Sequence, residues 1–343
     1  MTPGVPAALE SPPIAGAIAG ALAALTGTQR ALLFRSTLHA FWDLFGSLAR
    51  DTRTIHIDAG AYPIARWGAV RAAARGVPVR IFAHRDPAAL RRHLRLSTSD
   101  CTRRPLVVAD GLCPGCGGVA PIGELLESLR PLGGRLVLDD TQGLGILGES
   151  AKTGAPYGTG GGGSLRWAGV ANPAVVLVSS LAKGFGAPLA MIGGSGSIVA
   201  RLEAESETRA HCSSPSFADL HAAERAVRLN RTEGDRHRWR LAALIRRFRL
   251  GLARLGLSAG RSLFPVQSLD PVAGLSPAAL FEALNARGIR AVLHKPECRR
   301  GVVVSFVLTA SHSPAAIDSA LEALGRSVAA AGTPDPRRTR RAI

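Results

Sequence analysis

The chain has 343 residues, 46% of them hydrophobic, with 42 basic against 25 acidic side chains and a formal charge of +17. That length and apolar content suffice for a large domain plus a smaller one. The arginines are scattered, only the tail 334–343 is densely basic, and aromatics make up 5%, which argues against a base-stacking nucleic-acid platform. Such a surface suits anionic cofactors and substrates, phosphates or coenzyme A, equally well. Five cysteines, an odd number in a long chain, argue for a reducing compartment rather than a disulfide framework. Cys113-Pro-Gly-Cys116 is a CxxC, but no second CxxC accompanies it, so it is read as a loop and no metal is expected. Residues 14–26 are apolar yet too short to span a bilayer, and no basic segment precedes them. The expectation is a cytoplasmic protein without membrane or specific nucleic-acid partners.

Taken in order, residues 1–13 are proline-rich and irregular, and 14–26 form a helix of small residues. Strands are expected at 30–36, 54–58, 77–83, 104–109 and 135–138, with helices at 37–50, 63–76, 86–96 and 121–132 between them. This alternation points to a mostly parallel sheet covered by helices. The glycine-rich run 157–169 is read as a flexible linker. A strand at 174–178 and a second apolar run at 187–192 follow, then helices at 197–208 and 216–256. Composition shifts near residue 257. Beyond it come strands at 263–269, 289–294 and 302–309 and helices at 276–287 and 313–330. The division expected is an irregular segment 1–13, a large domain 14–256, a small C-terminal α/β domain 257–332 and a disordered basic tail 333–343.

Two stretches carry chemistry. In residues 174–195 a lone lysine, Lys183, stands between two apolar runs, with Gly184 and Gly186 after it. A lysine in such surroundings either packs its stem and wets its head, or loses its proton and attacks a carbonyl. In residues 134–143 a buried-looking strand ends in Asp139 and Asp140. A strand-end acid is commonly a cap. Paired with a lysine, it is also what pyridoxal-phosphate (PLP) chemistry needs: the lysine holds the cofactor aldehyde as a Schiff base, and the carboxylate keeps the pyridine nitrogen protonated.

The segment SSLAKGFGAPLAMIGGS (179–195) resembles the lysine segment of the α-oxoamine synthases, the 8-amino-7-oxononanoate synthase and 2-amino-3-ketobutyrate CoA ligase type of fold-type-I PLP-dependent transferase. VLDDTQGLGILGE (137–149) is similar to their aspartate segment, VVADGLCPGCGGVAPIGELLE (107–127) to the segment before it, and LTASHSPAAIDSALEAL (308–324) to their C-terminal segment. The likeness runs from about residue 15 to 325 and implies an α/β fold: a large domain with a mostly parallel sheet flanked by helices, and a small C-terminal α/β domain. It implies PLP as cofactor and a homodimer with the active site at its interface.

Residue by residue, the resemblance implies that Lys183 and Asp139 are catalytic, Lys183 holding the cofactor and moving protons at the substrate carbon, Asp139 pairing with the pyridine nitrogen. Ser180, three before Lys183, matches a phosphate-binding Ser or Thr. Ser36, Thr37 and Leu38 match a turn whose N–H groups hold phosphate at a helix N-terminus, with Thr37 in place of glycine; Ser36 is also an ordinary N-cap candidate. Tyr62 stands where the family stacks a histidine on the ring, and tyrosine can stack as well. Gln142 replaces a histidine and can still donate a hydrogen bond. Ser213, with Ser214, matches the segment that crosses to the partner's phosphate in the family dimer.

The departures fall on substrate contacts. Pro114 replaces a serine near the acyl carbonyl, Asp110 is one methylene shorter than the family glutamate, and His312 is read as structural. Ser305 stands where the family has the arginine that grips the substrate carboxylate, and serine cannot supply a bidentate fork; either Arg299 or Arg300 reaches in from the preceding loop, or the substrate is not an ordinary α-amino acid. The family's N-terminal segment is largely absent. The first functional reading is condensation of a small-molecule amino substrate with an acyl thioester, losing carbon dioxide. Alternatives are an aminotransferase acting on an amine or carrier-bound substrate, and a degenerate, non-catalytic homologue acting as a binding partner. The altered substrate contacts suggest specialised metabolism.

Overall fold

The computed structural model describes residues 1–2, 4–96, 102–260, 262–272 and 274–331. It divides into two compact units, residues 1–113 with 118–236, and residues 114–117 with 237–343.

The first unit opens with α1 (Pro13–Thr26), which starts on proline, where the missing N–H costs nothing, and ends on a left-handed Gly27. Then come β1 (Arg30–Phe34), α2 (Thr37–Leu48), β2 (Thr52–Asp58), α3 (Pro63–Ala73), β3 (Val79–Phe82) and α4 (Pro87–Arg95). They are followed by β4 (Arg104–Asp110), α5 (Ile122–Leu129), β5 (Arg135–Asp139), a short α6 (Ser164–Trp167), β6 (Val175–Ser180), β7 (Ala190–Gly194), α7 (Gly196–Glu205) and α8 (Glu207–His211). The seven strands form one sheet in the order β1-β7-β6-β5-β4-β2-β3. Only β7 runs against its neighbours, so the expected mostly parallel sheet is what forms.

Alternation along the strands builds a core on each face. Leu136, Leu138, Val175, Leu177 and Val107 pack on one side with α4 and α5 residues such as Leu90 and Leu125. Val137, Val176, Val178, Leu106 and Val108 pack on the other with Phe41, Phe45 and Ala69 from α2 and α3. Both faces are covered, which is why these strands read as continuous apolar runs.

The glycine-rich run is not a linker. It folds back on the segment after β5 through backbone bridges Leu144–Gly162 and Glu149–Thr159. Gly163 has φ +91°, and a side chain there would overlap the Asp140 carboxylate. Gly162 and Gly163 are therefore selected by close approach, which composition alone does not distinguish from flexibility.

α9 (Phe217–Arg254) is one unbroken helix that belongs to both units, dividing between Arg236 and His237 rather than at residue 257. Its first half contributes Leu220 and Ala223 to the core of the first unit. Its second half serves the other, where Phe248 meets Phe306 at 5.1 Å between ring centres. The second unit contains β8 (Val266–Ser268), α10 (Pro277–Asn285), β9 (Val292–His294), β10 (Val303–Val307) and α11 (Pro314–Ala331), with an antiparallel sheet in the order β8-β10-β9. The expected tail at 333–343 lies outside the described residues. Among the described residues no helix is long and apolar enough to cross a membrane.

Candidate active site

Because β1, β2, β4, β5 and β6 run parallel, their carboxyl ends share one edge of the sheet. That edge is where open α/β sheets place ligands. The residues singled out in sequence gather there. Ser36 follows β1, Tyr62 follows β2, Asp110 ends β4, Asp139 ends β5 with Gln142 after it, and Ser180 ends β6 with Lys183 after it.

Asp139 is 5% exposed, on a strand buried along its length. Burial raises its pKa, while hydrogen bonds from the Thr141 hydroxyl and amide pull it back. Thr141 N–H donates to Asp139 Oδ1 at 3.0 Å. Asp110 stands in register beside Asp139 on β4. Burial, then the charge of Asp139, push Asp110 well above the usual carboxylate range, against the Tyr62 N–H that it accepts at 3.1 Å. Both acids are thus held above the ordinary carboxylate range, chiefly by burial. No arginine, lysine or histidine forms an ion pair with Asp139 among the described residues. A cationic partner is what this carboxylate lacks, and a protonated pyridine nitrogen is such a group.

Lys183 lies in the turn after β6 with its side chain exposed. Gly184, next to it, packs its backbone on Leu144 and Gly145, where a side chain would meet the Leu144 carbonyl oxygen at 2.5 Å. So the lysine turn and the turn after β5 are fitted to each other, and Gly184 is required for that contact. Ser180 N–H donates to the Thr141 hydroxyl at 3.0 Å, and Ser180 Oγ accepts from Ala182 N–H at 3.2 Å.

Ser36 is the N-cap of α2. Its hydroxyl accepts from His39 N–H and meets His39 Nδ1 at 2.8 Å. The capping role anticipated as an alternative is realised, while Thr37 and Leu38 form the first turn of α2, with Leu38 exposed. Tyr62 is the N-cap of α3 and half exposed, so its ring is open to a ligand. Gln142 is half-buried. Ser213 lies on none of these strand ends; its backbone bridges to Pro6. His312 Nδ1 accepts the Thr309 N–H at 3.1 Å, a structural turn.

Sequence reasoning missed Thr141, which links the aspartate to the lysine strand. Asp140, the weaker candidate beside Asp139 for the acid at the pyridine nitrogen, has a structural place instead. Asp140 is fully buried and accepts the Ser164 N–H at 2.9 Å, capping α6. Burial pushes it up to about 7, despite the hydrogen bonds from Ser164.

In the second unit, Ser305 is fully buried on β10. Its hydroxyl lies 2.8 Å from Ser268 Oγ and 2.8 Å from His294 Nε2. Arg299, one expected substitute for the missing arginine, stands 3.6 Å from Asp270.

The aminotransferase class I and II family model matches residues 10–324. The chain belongs to that family. It is 35% identical over 315 residues to an 8-amino-7-oxononanoate synthase of Halorhodospira halophila, covering 90% of this chain and 73% of the relative. A Methylococcus capsulatus 8-amino-7-oxononanoate synthase is 33% identical over 310 residues, covering 90% and 76%. Among solved structures, Sphingomonas wittichii serine palmitoyltransferase superposes with a TM-score of 0.82 at 21% identity, covering 96% of this chain and 80% of that one. An 8-amino-7-oxononanoate synthase from Francisella tularensis gives 0.72 at 16%, covering 94% and 89%. The fold is that of the fold-type-I PLP-dependent transferases, as the resemblance implied, and the chain is an enzyme of the α-oxoamine synthase-like group within it.

Proposed function

We propose that this chain binds PLP at the carboxyl edge of its large sheet and condenses a small amino substrate with an acyl thioester, releasing carbon dioxide. The observation that carries the reading is the pair at that edge: Asp139, a buried carboxylate with no cationic partner among the described residues, and Lys183, an exposed amine on the neighbouring turn. Relatives named 8-amino-7-oxononanoate synthase support this reaction class.

When bound, PLP supplies an electron-accepting ring beside the substrate's α-carbon. Asp139 holds the proton on the pyridine nitrogen, and Thr141 keeps its carboxylate oriented. Lys183 anchors the cofactor, then accepts and returns a proton at the α-carbon of the substrate. Tyr62 offers an aromatic face to the ring. Ser180, with the α2 N-terminus at Ser36, Thr37 and Leu38, holds the phosphate. Gln142 donates a hydrogen bond to an oxygen of cofactor or substrate.

The working form in this reading is a homodimer, with Ser213 serving the partner's site. Exposed apolar side chains on α2 and α3 support a dimer surface: Trp42 is 44%, Trp67 59% and Val70 64% exposed. Light scattering on the purified protein tests it, with twice the chain mass expected.

A second reading, amino-group transfer, is favoured by Ser305. Its hydroxyl is spent on Ser268 and His294, and the position of the family arginine is a serine. An amine or carrier-bound donor without a free carboxylate suits that polar but uncharged position. Release of carbon dioxide that depends on added thioester identifies the condensation; transfer of the amino group to a keto acid without thioester identifies the alternative.

A further inference from the structure

The ring of Tyr62 is half exposed, and among the described residues no hydrogen bond holds its hydroxyl. Its place is therefore set by the backbone of the turn between β2 and α3, residues 59–62. Two buried acids grip that turn. Gly60 N–H donates to Asp58 Oδ1 at 2.6 Å, and Tyr62 N–H donates to Asp110 Oδ1 at 3.1 Å. Asp58 is 3% exposed and Asp110 9%. Between these two contacts, Ala61 N–H donates to the Asp58 carbonyl oxygen at 2.9 Å.

Asp58 is in turn held from the segment after β3. His84 Nδ1 lies 2.5 Å from Asp58 Oδ1. Facing a carboxylate, which only accepts, that nitrogen carries the proton and donates it. Arg85 N–H donates to Asp58 Oδ2 at 2.8 Å. Two local features bring these groups onto Asp58. Arg85 adopts φ +54°, an uncommon conformation for a non-glycine residue. Gly60 has no side chain where the imidazole lies, since a Cβ there would come 2.3 Å from His84 Nδ1.

We propose that the His84–Asp58 pair is a positioning device for the cofactor site: it holds one end of the 59–62 turn, as Asp110 holds the other, and so presets the ring of Tyr62. This rests on the reading that PLP binds at the carboxyl edge, where Tyr62 offers it an aromatic face. His84 acts through Asp58 and the turn, not by contact with the cofactor. A stacking side chain contributes most when its place is set before the ligand arrives, because ordering it at binding offsets part of the gain. The pair supplies that order. β3 is the outermost strand of the sheet, and this link ties the segment after it to the site.

The test uses the full-length protein and two readouts. Without PLP, hydrogen exchange followed by mass spectrometry should show His84→Ala raising exchange over residues 59–62 about fivefold, with β5 and β6 unchanged. With PLP, equilibrium titration should show His84→Ala weakening affinity about tenfold, and His84→Asn, which keeps an N–H donor near the Nδ1 position, restoring it to within about twofold. In a Tyr62→Ala background the His84→Ala step should cost nothing further, whereas a general structural role would cost the same in both backgrounds. His84→Leu, which fills similar space without a donor, takes the place of His84→Ala if that variant does not fold. Equal cost in both backgrounds, no rescue by His84→Asn, or exchange that rises across the whole unit would overturn the proposal and leave the transferase reading standing. A folded wild type that binds no PLP would overturn both.

Discussion

The hydroxyl of Thr141 accepts the backbone N–H of Ser180 at 3.0 Å and also bonds the Asp139 carboxylate. One side chain therefore fixes the spacing between the strand that ends in the aspartate and the strand that leads to Lys183. Thr141→Val keeps the shape and removes both bonds. Each is worth about 1 kcal/mol, and about 1.4 kcal/mol is tenfold in an equilibrium constant. PLP affinity should fall about tenfold with the far-ultraviolet circular dichroism unchanged. Equilibrium titration of the cofactor checks this; unchanged affinity would remove Thr141 from the site.

Asp140 makes the fold less stable as the pH rises from acid to neutral. Its pKa is near 7 when folded and near 3.8 when exposed, so the folded chain retains a proton that the unfolded chain releases. The stability from this group is fully present below about pH 4 and is lost as the pH rises to about 7, amounting to about 4 kcal/mol. Asp140→Asn keeps an oxygen for the Ser164 N–H and cannot ionise. Urea unfolding of both proteins from pH 4 to 8 should show the variant gaining on the wild type throughout that window. A constant difference would contradict the assignment.

His56 acts in the opposite sense. It is fully buried in β2, and neither ring nitrogen has a partner among the described residues. Burial first, then the nearby His93, lower its pKa from 6.5 to about 4. The unfolded state binds a proton that the folded state refuses, so stability is lost as the pH falls from about 6.5 to about 4, by about 3 kcal/mol. His56→Leu should remove that loss. In the wild type the two groups oppose each other between pH 4 and 6.5, so single variants reveal what the parent conceals.

Ser305→Ala removes the hydroxyl that joins Ser268 to His294. It leaves buried polar groups without that partner, at a cost of about 1–3 kcal/mol. The urea midpoint of the second unit should fall accordingly. Unchanged stability would show that the hydroxyl is not a structural link.

Much of this arrangement is legible in sequence, because parallel strands buried on both faces must be apolar throughout. The strands ending at Asp110, Asp139 and Ser180 announce themselves that way, and the acids and lysine beside them mark the edge. The direction of β7 is not announced, since Ala190–Gly194 is as apolar as its neighbours. Only the short return from Ser180 to Ala190, too brief for a crossover helix, turns it antiparallel. The helix expected over 197–208 is broken at Ser206, whose side chain caps α8. Thr141 was missed because its partner is on another strand, a relation absent from local pattern. Gly162 and Gly163 read as linker because composition cannot tell a tight fit from flexibility. The boundary between units was displaced because α9 is one helix whose two halves serve different cores.

Lys183 and Asp139 must form a working PLP site for the proposed chemistry to occur. The measurement that tests it most directly is the visible absorbance of the purified protein saturated with PLP, beside Lys183→Ala. A band of covalently held cofactor in the wild type, lost in a folded Lys183→Ala protein, is the result expected. A folded wild-type protein that shows no such band at saturating PLP, or a band that survives in Lys183→Ala, would contradict the account.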